Sequence, residues 1–187
     1  MEKKELRAAM RRKADTLAED YVLQASEKIA QTIITHPCFV QAQNVFIYLS
    51  MPKEPGTDKI LHSAFAQGKK VFVPRCYPKG VMKAVRVTPD SVYQPGKYDI
   101  PEPVNDTETI SADELDLIIV PCLSVSKDGR RLGHGMGYYD RFFGISGVIK
   151  MCICFEEMIC EDIPMEDTDI YVDYIVTEKE ITHKKTL

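Results

Sequence analysis

The sequence predicts a three-layer, Rossmann-like α/β fold, with a mostly parallel central sheet flanked by helices. β-prone runs at 44–50 and 70–74 enclose a helical pattern at 58–67, and a strand–helix–strand unit of this length is typical of parallel sheets. Residues 115–121 are continuously apolar, as expected for a central strand buried on both faces. The chain has 187 residues, 44% of them hydrophobic, without a repeat or a linker, which favours a single domain over 1–187.

The helices are predicted from apolar residues that recur at helical spacing. Residues 2–14 form a helix rich in Lys, Glu and Arg, and residues 17–35 form a second, more apolar one. In the helix at 58–67, Thr57 can cap the first turn and Gly68 ends the last.

The remaining strands are predicted from apolar runs and from alternation. Residues 148–155 form a buried strand, 80–87 a half-exposed one, and 173–178 the last strand of the chain. The segment 88–114 is rich in Pro, Asp and Thr and is long for a passive connection. It therefore either wraps the domain or lines a site.

Composition argues against several classes of protein. The net charge of −4 does not suit bulk nucleic-acid binding, and no apolar run reaches the length of a membrane span. The six cysteines show neither C-x-x-C spacing nor a His at zinc-ligand spacing, so we expect reduced thiols that act as small hydrophobic residues. We expect a cytoplasmic monomer without nucleic-acid or membrane partners.

The stretch KDGRRLGHGMGYYDRFF, residues 127–143, is the strongest candidate for a functional site. It holds four of the ten glycines and follows a central strand, where open α/β sheets bind ligands. Its glycines allow positive φ and converging N–H groups, Arg130 and Arg131 add positive charge, and a helix begins after Gly137. Asp140 suits a hard cation carried by phosphates. These features predict a site for phosphate and Mg²⁺; the alternative is a glycine-rich surface turn with aromatic anchors.

The spacing matches neither of two common phosphate motifs. A Walker A loop would require Lys after Gly137, and a dinucleotide fingerprint requires G-x-G-x-x-G. His134 is either a donor to phosphate or an ordinary loop residue.

The run GRRLGHGMGYYD, from Gly129 to Asp140, resembles the G-x-R-L-G-x-G-x-G-Y-Y-D signature of the 5-formyltetrahydrofolate cyclo-ligase family. The resemblance extends over most of the chain. It includes five further segments: KKELR, YLSMPKEPGT, FVPR, YDIPEP and DTDIYVDYIVTE.

This resemblance implies a reaction in which ATP and Mg²⁺ convert 5-formyltetrahydrofolate to 5,10-methenyltetrahydrofolate. In the family's scheme the formyl oxygen attacks the γ-phosphate, and N10 then closes the ring as phosphate leaves. The partner implied is a small folate substrate.

The resemblance also implies roles for individual residues. Arg131 and Glu54 are expected to be catalytic, with Glu54 a positioning group before a base. The expected ATP contacts are Lys3, Lys4, Arg7, Arg131, Leu132, Gly133, His134, Gly135, Met136, Gly137, Tyr138 and Tyr139. The expected folate contacts are Leu49, Glu54, Arg75, Glu102 and Tyr138. Asp140 and Asp169 are the expected metal ligands, with Asp173 the alternative that better suits the start of a strand.

The chain departs from the family pattern in two places. His134 and Met136 stand where basic residues are common, so direct side-chain charge on the phosphates is weaker. Gly56 stands where an acidic residue is common. One rival interpretation is a paralogue that keeps the nucleotide site but has another substrate or a regulatory role. Another is an RNA-associated domain, which the acidic charge disfavours.

Overall fold

A mostly parallel sheet forms the centre of the computed structural model, which describes residues 2–96, 100–105, 108–144 and 146–184. Within these residues the strands are β1 (Asn44–Ile47), β2 (Lys70–Cys76), β3 (Met82–Val87), β4 (Tyr93–Pro95), β5 (Pro101–Pro103), β6 (Thr109–Ile110), β7 (Leu117–Val120), β8 (Ser124–Val125), β9 (Arg131–Leu132), β10 (Ile149–Ile153), β11 (Tyr174–Val176) and β12 (Ile181–His183). The main sheet has the order β12-β11-β10-β7-β1-β2-β3-β6. Strands β11, β10, β7, β1 and β2 are parallel, and the outer strands are antiparallel.

The described α-helices are α1 (Lys3–Asp15), α2 (Glu19–Thr35), α3 (Pro37–Gln41), α4 (Asp58–Ala66) and α5 (Tyr138–Phe143). Apolar side chains of α2 and α4 are fully buried in the main core, among them Ile29, Ile33 and Ile60. No helix in the described part of the chain is long and apolar enough to cross a membrane. The predicted fold class is confirmed by this architecture.

The topology creates a switch point between β1 and β7. From β1 the chain crosses through α4 to β2 on one side, whereas from β7 it continues to β10 on the other side. Connections that leave neighbouring parallel strands in opposite directions open a crevice at the strands' carboxyl ends. The loop that contains Glu54 follows β1, and the glycine-rich stretch follows β7, so both border this crevice.

Burial explains why the central strands read as continuous apolar runs. All four residues of β7 are fully buried, as are Val45, Phe46 and Ile47 of β1. A strand covered on both faces cannot alternate polar and apolar residues without burying unpaired polar groups.

Helix α1 rests on a small apolar cluster that is separate from the main core. The buried members of this cluster are Leu6, Leu123, Leu132 and Ile163, and Met10 packs against them. Leu123 follows β7 and Leu132 lies in β9. The contacts with them therefore position α1 across the carboxyl ends of the central strands.

The structure differs from the sequence expectations at three elements. The predicted Thr57 cap is wrong, because the Thr57 hydroxyl bonds to Ser50 and makes no capping bond to α4. Helix α3 was not predicted, and 173–178 does not hold the last strand, since β12 follows β11 and pairs with it.

The long segment 88–114 contains a small hairpin of β4 and β5 and the edge strand β6. Glu102 lies on β5 and is buried. Tyr98 and Asp99 of the YDIPEP segment lie outside the described residues.

Candidate active site

A hairpin of β8 and β9 delivers the chain to residues 133–137, here called the glycine loop, and α5 begins directly after it. Gly135 has φ of +102° and Gly137 φ of +64°, conformations that a Cβ atom disfavours. The sequence argument for positive φ in this loop therefore holds at these two positions. A Cβ would also crowd a guanidinium at each glycine of the loop: Arg131 at Gly133, Arg7 at Gly135 and Arg141 at Gly137.

Arg131 and Asp140 form a nearly buried ion pair beside the loop. Nη2 of Arg131 lies 3.0 and 3.1 Å from the two carboxylate oxygens of Asp140, and Nη1 donates to the Pro121 carbonyl. The Arg131 side chain is only 3% exposed. Among the described residues, its buried Nε has no hydrogen-bond partner. A buried guanidinium with an unused donor is suited to a further anion.

A second ion pair joins the beginning of the chain to its closing segment. Nζ of Lys3 bonds to Oδ2 of Asp169 and lies 3.5 Å from Oε1 of Glu166. The backbone N–H of Ile170 donates to Oδ1 of Asp140 at 3.4 Å. The two carboxylates are therefore neighbours, and each is neutralised by its own cation.

Asp173 lies away from these pairs. Its carboxylate accepts from the backbone N–H of Lys150 at 2.8 Å, and its own N–H donates to the Lys150 carbonyl, where β10 and β11 begin. This position is at the amino ends of the parallel strands, opposite the crevice. Asp173 therefore helps to fix the register of β10 and β11.

The two site carboxylates have the chemistry of a Mg²⁺ site completed by substrate. Among the described residues, no group of three or more His, Cys, Asp or Glu side chains is placed to hold a metal ion. Mg²⁺ commonly takes only one or two carboxylates, and phosphate oxygens and water supply the rest. Asp140 and Asp169 fit that pattern, because they would supply two carboxylates and leave the other coordination positions to phosphate oxygens and water.

Glu54 is held by a strained turn after β1. Residues 51–54 form a turn in which Glu54 N–H donates to the Met51 carbonyl at 3.1 Å, with Pro52 and Lys53 at its centre. Lys53 has φ of +69°, which is uncommon for a residue with a side chain. Its Nζ donates to the Leu17 carbonyl at 2.7 Å, which ties the turn to the connection between α1 and α2.

The carboxylate of Glu54 bridges the two walls of the crevice. Oε2 accepts from the N–H of Met51 at 2.8 Å, and Oε1 lies 3.1 Å from Nε2 of His134 in the glycine loop. The Glu54 side chain is 14% exposed, whereas that of His134 is about half exposed. His134 thus contacts the opposite wall, and Met136 is open to solvent.

Arg75, Glu102 and Tyr138 lie together at the carboxyl end of β2. Glu102 accepts from the Cys76 N–H at 3.0 Å, and Arg75 donates to the Val104 carbonyl at 3.3 Å. The Tyr138 hydroxyl donates to the Tyr77 carbonyl at 3.3 Å. These contacts fix one side of the crevice.

Tyr139 packs inward from α5. Its ring meets Phe46 edge-on at 6.3 Å and lies near Phe143, while the Arg131 guanidinium stands 5.5 Å from its centroid. Burial, followed by the Glu54 charge, raises the pKa of the Tyr139 hydroxyl. The geometry makes Tyr139 an anchor of α5 more than an open face for a substrate ring.

The other predicted contacts are distributed around this centre. Leu49 is partly buried against the core, and Leu132 is buried beneath α1. Lys4 is exposed on α1, and no contact links it to the other site residues within the described chain.

Arg11 is a site residue that the sequence analysis missed. Its Nη2 donates to the His134 carbonyl at 3.1 Å, one helical turn beyond Arg7, whose Nε donates to the Gly133 carbonyl at 3.0 Å. Lys3, Arg7 and Arg11 recur every four residues, and residues at that spacing share one helix face. Extending this series by one turn would have found Arg11.

A small cavity lies under α1 next to Glu54. It has a volume of about 30 Å³, room for about one water molecule. It is lined by Ala14, Lys53, Glu54, Pro55, Cys122, Leu123, Cys154, Phe155 and Met158. The pKa of the Cys122 thiol is raised: a hydrogen bond with Cys152 lowers it, but contact with Cys154 and burial outweigh that effect. Cys122 is therefore a protonated, weakly nucleophilic wall of the cavity.

Fold and site together define an open α/β protein whose crevice, at the switch point, holds Lys3 paired with Asp169 and Arg131 paired with Asp140. The model of the 5-formyltetrahydrofolate cyclo-ligase family matches residues 1–178, and the chain belongs to that family. The predictions of this family and of an enzyme of the ligase class are confirmed.

Similar proteins span nearly the whole chain. The mouse 5-formyltetrahydrofolate cyclo-ligase is 32% identical over 200 residues, which cover 94% of this chain and 93% of the mouse protein. A probable 5-formyltetrahydrofolate cyclo-ligase from Schizosaccharomyces pombe is 31% identical, with 97% of each chain covered. The solved structure of Aquifex aeolicus 5,10-methenyltetrahydrofolate synthetase superposes with a TM-score of 0.88 at 27% identity. It covers 100% of this chain and 95% of the Aquifex chain.

Proposed function

We propose that this protein converts 5-formyltetrahydrofolate to 5,10-methenyltetrahydrofolate in a reaction that consumes ATP, requires Mg²⁺ and releases ADP and phosphate. The observation that carries the proposal is the pairing of Lys3 with Asp169 and of Arg131 with Asp140 at the switch point. Each pair joins a cation that suits phosphate to a carboxylate that suits Mg²⁺, in a chain that belongs to this family.

Binding of ATP with its metal exchanges partners within these pairs. The phosphate oxygens take over Lys3 and Arg131, together with Arg7, while Asp140 and Asp169 become free to hold the cation. Mg²⁺ supplies charge neutralisation at the transferring phosphoryl group. Because phosphoryl transfer depends mainly on positioning and on neutralisation of charge, this exchange accounts for most of what the residues must do.

The proposed chemical steps are those of the family's scheme, and the arrangement of these residues suits them. The formyl oxygen attacks the γ-phosphorus, the bond to the β–γ bridging oxygen breaks, and ADP leaves. N10 then attacks the activated formyl carbon, the carbon–oxygen bond breaks to release phosphate, and the proton of N10 passes to the departing phosphate as the five-membered ring closes. Arg131, buried and with a spare donor at Nε, stabilises the charge of the transferring group.

Glu54 orients the folate in this proposal. Its carboxylate is fixed by the Met51 N–H and by the tight turn at 51–54, so its direction is set before substrate arrives. Proton removal is not needed for attack by the formyl oxygen, which makes Glu54 a positioning group. Leu49, Arg75, Glu102 and Tyr138 complete the folate side.

Further parts of the proposal concern the whole protein. We take residues 1–187 as one domain, supported by a single large core cluster that includes residues of α2, α4, β1, β7 and β10. We also take the protein to be a cytoplasmic monomer that acts on a small molecule, without nucleic-acid or membrane partners. The free cysteines of the described structure suit a reducing compartment.

An absorbance assay tests the activity directly. Protein, 5-formyltetrahydrofolate, ATP and Mg²⁺ are mixed, and the absorbance of 5,10-methenyltetrahydrofolate is followed. We expect an increase that requires each component and that stops on chelation of Mg²⁺. If no ATP-dependent increase occurs although the protein binds nucleotide, the paralogue with another substrate replaces this proposal.

A further inference from the structure

The glycine loop is bound by arginines through its carbonyl oxygens. Arg11 reaches the His134 carbonyl from α1, and Arg141 donates through Nη2 to the Met136 carbonyl from α5. Arg7 does the same at Gly133. Three of the five residues of the loop therefore have a backbone carbonyl that accepts from a guanidinium.

These contacts determine where the loop's N–H groups point. In a planar trans peptide, the C=O of one residue and the N–H of the next point in opposite directions. Holding the His134 carbonyl toward Arg11 turns the Gly135 N–H away from α1. Holding the Met136 carbonyl toward Arg141 likewise turns the Gly137 N–H away from the Arg141 guanidinium. Within the described chain, no protein acceptor is found for the N–H of Gly135 or Gly137.

Arg141 is placed to fix the loop against a second segment. Its Nε donates to the Gly80 carbonyl at 3.1 Å, and its guanidinium lies 5.7 Å from the Tyr138 ring centroid. A Cβ at Gly137 would stand 2.8 Å from Nη1 of Arg141. The Arg141 guanidinium thus donates to two carbonyls in separate segments, those of Gly80 and Met136. A lysine ammonium cannot reproduce this geometry.

We propose that Arg11 and Arg141 are positioning residues, which orient the Gly135 and Gly137 N–H groups toward the phosphates of the nucleotide. This inference rests on the ATP-binding part of the proposed function and goes beyond it. It also explains how a loop with His134 and Met136 at its variable positions binds an anion: the donors are backbone N–H groups, and the arginines hold them from behind.

Nucleotide affinity separates this role from direct charge contact. The variants are R11A, R141A and R141K, and the matched control is R12A, since Arg12 is an exposed neighbour on α1 with no contact to the loop among the described residues. Binding of a non-hydrolysable ATP analogue with Mg²⁺ is measured by calorimetry, and KM for ATP and for 5-formyltetrahydrofolate is measured alongside. The ¹⁵N–¹H signals of Gly135 and Gly137 report loop geometry.

We expect R11A and R141A each to weaken analogue binding by about ten-fold or more, the scale of one charge-assisted hydrogen bond. The KM for 5-formyltetrahydrofolate should stay within about two-fold of the wild-type value, because the Gly135 and Gly137 N–H groups are proposed to bind phosphate and not the folate. The Gly135 signal should shift in R11A and the Gly137 signal in R141A, and R12A should match the wild type. R141K should not restore affinity.

Wild-type affinity in both alanine variants overturns the inference, and so does full recovery in R141K, which would mean that charge alone suffices. Should R141A fail to fold, R11A decides, because Arg11 is an exposed helical residue. A wild type that binds the analogue but forms no methenyl product overturns the proposed activity and leaves this comparison intact. A wild type that binds no analogue overturns the inference itself.

Discussion

Asp140 and Arg131 neutralise each other inside the crevice, so neither group is buried as an isolated charge. Asp140 accepts from the guanidinium and from Ile170 N–H. The same carboxylate is the proposed metal ligand. In the proposed mechanism, one side chain therefore has two functions: it keeps Arg131 paired before substrate binds, and it holds the cation afterwards.

Replacement of Asp140 by Asn should affect both the pairing with Arg131 and the proposed binding of the cation. D140N should abolish most Mg²⁺-dependent turnover, because a neutral amide is a poor Mg²⁺ ligand. It should also lower the free energy of unfolding by about 1–3 kcal/mol, because the buried Arg131 loses its charge-assisted partner. Turnover is measured across a Mg²⁺ titration, and unfolding by denaturant.

The control for this variant is D167N, an exposed aspartate two residues from Asp169. It should retain wild-type values in both measurements. Full Mg²⁺-dependent activity in a folded D140N protein would contradict the metal role.

Glu54 allows a separate test of positioning against base catalysis. E54Q keeps the shape of the side chain, but it removes the charge that faces His134 and the folate side. We expect KM for 5-formyltetrahydrofolate to increase by about ten-fold, the scale of one hydrogen bond to a charged group, with little change in KM for ATP. The shape of the pH–rate profile should not change, since no proton is taken by Glu54.

E161Q, which alters an exposed glutamate away from the crevice, is the matched control. Loss of the acidic limb of the pH–rate profile in E54Q alone, with normal KM for 5-formyltetrahydrofolate, would show that Glu54 is a base.

At this scale the sequence predicted residue types better than contacts. Positive φ at Gly135 and Gly137 follows from glycine in a loop after a strand. The partners of Lys3 and Arg7 do not, because Asp169 and Gly133 are more than a hundred residues away along the chain. Spacing within a helix indicates which residues share a face, and it contains no information on what that face meets.

At the scale of helices and strands, the sequence predicted the long elements and missed the short ones. The parallel strands and α2 have long apolar patterns, and the sequence predicted them. Helix α3 has five residues and β12 three, too short for a period to appear. Thr57 occupies the predicted cap position, but the neighbouring loop offers Ser50, and that tertiary contact replaced the local one.

At helix α3, His36 predicts that the stability of the protein depends on pH. Nδ1 of His36 accepts from the Cys38 N–H, which caps the helix, and burial lowers the pKa of His36. The neutral ring is thus favoured in the folded state. Its stabilising contribution is complete above the unfolded pKa of about 6.5, and it is lost as the pH falls from there through the lower folded pKa.

We expect the wild type to lose unfolding free energy relative to H36N as the pH falls from neutral to about 5, since Asn accepts the same bond without titrating. H36A should be less stable than the wild type by about 1 kcal/mol near neutral pH, the usual value of a cap. Denaturant unfolding at several pH values measures both. Parallel pH curves for the wild type and H36N would exclude the His36 mechanism.

On the scale of the whole molecule, the crevice joins parts of the chain that are far apart in sequence. Helix α1, the glycine loop and the segment around Asp169 meet over the carboxyl ends of β1 and β7. The sequence predicted the location, because open parallel sheets bind ligands there. It did not predict that cations and carboxylates of the site pair with one another, which depends on how α1 docks on Leu123 and Leu132.

This arrangement predicts that nucleotide and metal stabilise the protein together. A ligand that binds only the folded state adds RT ln(1 + [L]/Kd), about 2.7 kcal/mol at a hundred-fold excess over Kd. For a chain of this length, the corresponding increase in Tm is roughly 5–10 °C. The full increase should require both the non-hydrolysable ATP analogue and Mg²⁺, because without the cation the phosphates approach the charges of Asp140 and Asp169 unscreened.

Thermal unfolding is therefore compared with the analogue alone, Mg²⁺ alone, both together, and both followed by a chelator. We expect a small shift with either ligand alone, the large shift with both, and reversal on chelation. AMP with Mg²⁺ serves as the control, and it should shift Tm less, since it lacks the β- and γ-phosphates that we propose to face the glycine loop and the two ion pairs. Equal shifts with and without Mg²⁺ would mean that the carboxylates do not hold the cation, and Lys3 and Arg131 would then remain paired with them in the nucleotide complex.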